Sequence, residues 1–209
     1  MAYPTISAPY GLKPINLIGG QVFAGATRQL PITTASVSYN TPIFNGDVVA
    51  LTADGVVAVA TLDTDTSPVA GVVGVFLGCS YTNPTTKQKF YSQYWPGFAS
   101  GVTDAMAYIA DDPDQLYKAV SVGATADGDG LTPVPLTQST LGNNVALVLN
   151  TGSTTTGDSK IGIYANGVTT SLPMRVVDMV PDTATASGFY EVIVKFNFGY
   201  HSYNNATGI

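Results

Sequence analysis

The chain has 209 residues, of which 45% are hydrophobic and only 11% charged, and its formal net charge is −6. That length supports one domain with a sizeable core, and the scarcity of charge leaves the polar surface to Thr, Ser, Asn and Tyr. An acidic chain with no basic run excludes a nucleic-acid binder, whose affinity rests on Lys and Arg neutralising phosphates, and argues against an anionic membrane as partner.

Of the 14 acidic residues only Glu191 is a glutamate. Asp favours turns where Glu favours helices, so the bias speaks against a helical chain. Cys79 is the single cysteine, which excludes an intrachain disulfide and a cysteine metal cage. The opening Met-Ala-Tyr-Pro-Thr has neither the charged nor the apolar region of a secretory signal. No apolar stretch approaches the roughly 20 residues of a membrane helix. Synthesis in a cytoplasm is the expectation.

In chain order, residues 1–22 carry Pro4, Pro9 and Pro14 with Gly11, Gly19 and Gly20, and read as an extended arm with a short strand near 15–18. Residues 28–35 read as an edge segment, because Pro31 lacks the ladder donor. Asp54-Gly55 between the runs 47–51 and 56–60 is a hairpin signature. The apolar run 69–79 reads as a strand buried on both faces. Residues 79–81 and 89–94 bracket Asn83-Pro84-Thr85-Thr86 as a second hairpin. Strands are expected at 104–110 and 116–122, joined by a sharp turn or one-turn helix at Asp111-Asp112-Pro113-Asp114. Residues 123–142 are turn-rich and read as an exposed excursion. Further strands are expected at 144–149, 160–165, 173–180 and 190–196. About ten short strands without heptads or repeats predict an all-β fold, a β-barrel or β-sandwich. The domain then spans 23–196, with an N-terminal arm at 1–22 and a C-terminal arm at 197–209.

Residues 1–46 hold no acidic side chain and only Lys13 and Arg28 as cations, and residues 196–209 hold no acidic or basic side chain but His201. Dangling tails are ordinarily kept soluble by charge. Uncharged aromatic ends make sense when they lie against the chain's own core, a symmetry mate or a larger assembly. The interface candidates are Tyr3, Tyr10 and Leu12, then Trp95 in the aromatic hairpin region, then Phe198, Tyr200 and Tyr203.

Chemistry finds little support. One histidine cannot build a multi-histidine metal site, and there is no nucleophile elbow or phosphate-binding glycine loop. The pairs Asp63/Asp65 and Asp127/Asp129 and the trio Asp111/Asp112/Asp114 read as turn formers rather than paired acid–base catalysts. Asp127-Gly-Asp-Gly130 offers hard oxygen ligands to calcium but lacks the remaining loop positions and the closing Glu of an EF-hand. No catalytic residue, metal site or cofactor is expected. A platform of Tyr94 and Trp95 leaves open a second reading, a glycan- or receptor-binding module of a tail or fibre.

Four stretches carry a family likeness: Pro9-Tyr-Gly-Leu-Lys-Pro-Ile-Asn-Leu-Ile-Gly-Gly20, Gly74-Val-Phe-Leu-Gly-Cys-Ser-Tyr-Thr82, Tyr108-Ile-Ala-Asp-Asp-Pro-Asp114 and Val192-Ile-Val-Lys-Phe-Asn197. The chain resembles small virion structural proteins of tailed bacteriophages, notably marine and cyanobacterial podoviruses. The resemblance implies a β-rich decoration (cement) protein on the outer surface of the head. Its partners would be the major capsid protein and further copies of itself, often as a trimer. It implies no individual binding residues. The major capsid protein's own fold needs a long spine helix, which this sequence does not predict.

Overall fold

The computed structural model describes residues 6–32, 41–60, 71–97, 102–123, 132–164, 172–183 and 188–206. Tyr3, Asp63, Asp65, Asp127 and Asp129, with the calcium-loop reading attached to the last two, lie outside the described residues. The described residues form twelve strands: β1 (Lys13–Leu17), β2 (Arg28–Pro31), β3 (Val48–Leu51), β4 (Val57–Val59), β5 (Val72–Thr82), β6 (Lys89–Ser92), β7 (Met106–Ala110), β8 (Gln115–Val120), β9 (Asn144–Val148), β10 (Gly162–Tyr164), β11 (Met174–Met179) and β12 (Glu191–Phe196).

They form two antiparallel sheets. One runs β1-β8-β12-β11-β9-β10; the other runs β2-β7-β5-β3-β4, with β6 paired to the far half of β5. The result is all-β and sandwich-like, and of the two architectures expected the barrel is not realised. Isolated bridges such as Ile32–Val57 and Ser121–Ile163 tie outlying segments together without closing a ladder.

Local chemistry explains several elements. In the β3–β4 hairpin Gly55 takes φ of +72° and donates its N–H to the Thr52 carbonyl at 2.9 Å. In the β5–β6 hairpin the Asn83 side-chain oxygen accepts from the N–H groups of Thr85 and Thr86 at 2.9 and 3.1 Å. At 111–114 the chain makes the sharp turn, not the helix. Asp112 Oδ1 accepts the Asp114 N–H at 2.8 Å, and the Asp112 carbonyl accepts from Gln115 at 3.1 Å. This corner carries the chain from β7 in one sheet to β8 in the other.

The long strand β5 is buried on both faces, as its uninterrupted apolar run implies. Val72, Val75 and Leu77 face a core shared with Tyr117, Val145, Leu147, Met174, Val194 and Phe196 of the other sheet. Val73, Phe76 and Cys79 face a second core with Ile43, Val49, Trp95 and Ile109. Gly74 lets β5 approach β7, since a Cβ there would sit 2.1 Å from the Ala110 carbonyl oxygen.

The N-terminal segment departs from a free arm. β1 pairs with β8, Pro14 lying opposite Tyr117. A proline fits there because β1 is an edge strand. Just before it, the Leu12 N–H donates to the Gly46 carbonyl at 3.0 Å, and a Cβ on Gly11 (φ +78°) would lie 2.8 Å from that same oxygen. The glycine therefore permits the backbone contact that seats Leu12 in the core. In the turn-rich region, Leu136 also enters the core from the described part of the excursion.

Candidate interaction surface

The residues expected at an interface divide into three groups. Leu12, Trp95 and Tyr200 are interior: Leu12 and Trp95 have no exposed surface, and Tyr200 keeps 4%. In this conformation they offer a partner nothing to touch. Trp95 is fixed by a two-way backbone pairing with Ile43 at 3.0 and 2.8 Å, and its ring meets Tyr81 edge-on at 5.3 Å between centroids. A buried indole cannot stack on a saccharide, so the Tyr94–Trp95 platform does not form; Tyr94 instead stacks on Phe44 at 5.7 Å. Tyr10 is half-buried. Phe198 and Tyr203 are exposed, Phe198 by 83%.

Sequence reasoning missed the pair of carboxylates that fasten the two chain ends. At the N-terminal end, the Tyr10 hydroxyl donates to Glu191 Oε1 at 2.5 Å, and Lys118 Nζ reaches the same oxygen at 2.9 Å. Lys118 also lies over the Tyr10 ring, 5.8 Å from its centroid. Glu191 is buried, and its own N–H donates to Thr183 Oγ1. Burial, with the Glu191 carboxylate accepting from the hydroxyl, raises the Tyr10 pKa well above the ordinary tyrosine value. The signal in the sequence was a lone glutamate in the strand Glu191-Val-Ile-Val-Lys-Phe196, where alternation left it facing away from Val192 and Val194.

At the C-terminal end the carboxylate is Asp111. Its Oδ2 accepts from the Tyr203 hydroxyl at 2.9 Å and from Arg28 Nε at 2.5 Å, and the guanidinium lies 5.4 Å from the Tyr203 ring centroid. Behind Tyr203 an aromatic file runs through His201, Phe196 and Tyr117, at 5.0, 5.9 and 5.5 Å. His201 also bridges to Val72 on β5. The neighbouring aspartates have structural employment as well: Asp112 holds the corner turn, and Asp114 accepts from Lys195 at 2.6 Å.

Two cavities are lined by described residues, one of them against Tyr10. One of about 250 Å³ is walled by Phe44, Val59, Leu149 and Ile161, with Asp47 at its side. Burial raises the Asp47 pKa, against hydrogen bonds from Ser159 and from the Phe44 N–H at 2.8 Å. The other, about 510 Å³, lies between residues 6–10 and the loop bearing Ser153, Thr156 and Asp158. Cys79 is buried, and burial pushes its thiol up to about 12, which leaves it protonated and unreactive at neutral pH. Among the described residues no three His, Cys, Asp or Glu side chains converge as metal ligands.

Among the described residues the other exposed large apolar side chains are Ile18, Val22, Phe90, Tyr91, Leu141 and Val177. Tyr91, 73% exposed, sits on β6 opposite Ser80. Comparison with family models, with curated proteins and with solved structures finds no match.

Proposed function

We propose that the chain is a non-enzymatic structural protein of a virus particle, a decoration (cement) protein that binds neighbouring major capsid subunits on the outer surface of a tailed-bacteriophage head. The phage assignment rests on the family likeness of the four stretches described above. The observation that best supports docking is the setting of Phe198. Its ring stands in solvent while the backbone on either side is fastened. The Asn197 N–H donates to the Pro173 carbonyl at 2.8 Å, Asn197 Nδ2 to the Leu172 carbonyl at 3.1 Å, and the Phe198 N–H to Asn197 Oδ1 at 3.0 Å. Beyond it Tyr200 is buried. An aromatic side chain held outward by an anchored segment loses little freedom on binding, which is what an interface anchor needs. Many copies on a shell add modest contacts through multivalency. On this reading the protein assembles as a homo-oligomer on the particle after synthesis in the host cytoplasm.

Quantitative mass spectrometry of purified particles tests the assignment. A copy number comparable to that of the major capsid protein supports a shell component. A few copies per particle move the protein to the neck, tail or fibres, and absence from particles overturns the reading. Within the shell reading, Phe198→Ala is expected to weaken association with the capsid by about 1–3 kcal/mol, roughly five- to 150-fold. Its melting temperature should stay unchanged, because the ring covers no core. Unaltered affinity in a competition assay with undecorated heads would remove Phe198 from the interface.

A further inference from the structure

We propose that the segment from Tyr200 to Asn204 is an acid-released strap, held in place by the His201 ring acting as a hydrogen-bond acceptor and freed when that ring is protonated. The geometry begins with the 3-10 turn Ser202–Asn204, which His201 caps: its Nδ1 accepts the Tyr203 N–H at 3.3 Å. An accepting Nδ1 makes the docked imidazole the neutral, Nε2-protonated form. Protonation converts that acceptor into a donor facing another donor, so the cap is lost whatever the surroundings.

The surroundings give the new charge little relief. The ring is 1% exposed, it lies between the aromatic rings of Phe196 and Tyr203, and Nε2 is buried with no hydrogen-bond partner among the described residues. From the β7–β8 corner Asp111 and Asp112 face the ring and favour the charged form. Asp111, however, is already shared by Arg28 of β2 and the Tyr203 hydroxyl, and Asp112 is engaged by the Asp114 N–H. β5 contributes only backbone, at Val72 and Val73, and β12 contributes Phe196. Burial outweighs the two carboxylates and the Val73 and Asp111 backbone groups that also favour the charged form, and the docked ring titrates below the ordinary value of 6.5.

The sign follows from linkage. The undocked ring binds a proton near pH 6.5, and the docked ring does so only at lower pH. Docking is therefore complete above about 6.5 and weakens as pH falls, by up to about tenfold per pH unit, until the docked ring itself is protonated. Release takes Tyr203 off Asp111, unpairs His201 from Val72 and frees the buried Tyr200 that anchors Phe198 on its C-terminal side. The proposal concerns the free chain and holds whether or not the protein decorates a capsid.

His201 is the sole histidine, so its ring signals are unambiguous. Amide hydrogen exchange over residues 198–206, corrected for intrinsic chemistry, is compared at pH 7.5, 6.5 and 5.5 in the wild type and in His201→Asn, whose Oδ1 can accept the same N–H without titrating. Wild-type protection should fall by up to about tenfold between pH 7.5 and 5.5, with β12 and the part of β5 beyond Val72 and Val73 unaffected, and the variant should show no such fall. Constant protection in the wild type, or an equal fall in the variant, overturns the proposal. Should the variant not fold, an NMR titration of the wild type decides. A ring pKa below 6.5 whose midpoint coincides with shifts of Tyr200 and Tyr203 supports the strap. A ring pKa at or above 6.5, or aromatic signals that do not follow it, overturns it.

Discussion

Trp95→Ala is expected to cost the fold about 3–5 kcal/mol, the range for emptying a buried aromatic site. The indole has no exposed surface and belongs to the second core, with Ile43, Val49, Val73, Phe76 and Ile109 around it. Removing it also deprives Tyr81 of its edge-on partner, and Tyr81 in turn stacks on Phe90 of the β6 hairpin at 6.0 Å. The loss should therefore reach the β5–β6 pairing as well as the core. Trp95→Phe should cost much less, for two reasons. It keeps most of the apolar volume, and it removes an indole N–H that is buried with no hydrogen-bond partner among the described residues. Denaturant unfolding of the isolated protein checks both. This pair also separates two roles for the residue. A core role lowers stability in the free chain, whereas an interface role would lower only association. A Trp95→Ala protein of wild-type stability would contradict the placement of the ring.

The strands were largely legible because their signals are local. Asp54-Gly55 fixes a hairpin by its need for positive φ, and the run up to Cys79 has the length and β-branching of a two-faced strand. Legibility failed where the answer depends on which distant segments meet. Trp95 reads from the sequence as an interface residue, with a surface platform as the second reading, because its neighbours Tyr94, Tyr91 and Phe90 are aromatic too. Burial depends on alternation relative to β5, and that was not fixed until the register Tyr81–Phe90 was known. Leu12 looked like part of an arm because prolines and glycines surround it. Those residues suit equally an edge strand and the close backbone contact with Gly46, and composition does not distinguish the two. The uncharged ends did carry information: Leu12, Tyr200 and His201 are buried in the chain's own interior, while Phe198 and Tyr203 stay exposed. What escaped was the means of attachment. Tyr10 is 181 residues from Glu191, and Tyr203 is 92 residues from Asp111, so no spacing rule connects them.

Glu191 is the test of that attachment at the N-terminal end. Tyr10→Phe removes one hydrogen bond to a charged group and should cost about 1.5–3 kcal/mol. Glu191→Gln should cost a comparable amount, because it weakens the bond from Tyr10 and strips Lys118 of its ion pair. The penalty stays below the roughly 3–5 kcal/mol of a fully buried broken pair, since the Lys118 side chain is 37% exposed and can turn to water. The two substitutions share one oxygen, so their effects should not add. A double-mutant cycle is expected to return a coupling of about 1–2 kcal/mol, within the range for residues in one hydrogen-bonded network. Exchange of the amides over residues 6–10 should rise in either single variant, as that wall of the 510 Å³ cavity loosens. The pairing of β1 with β8 should persist, because it is held by backbone bonds and by Leu12 in the core rather than by the tyrosine. Strictly additive effects would mean that Tyr10 is seated by packing alone. The attachment of the N-terminal segment would then begin at Gly11, where the glycine brings the backbone against Gly46, and the carboxylate would serve only to neutralise Lys118.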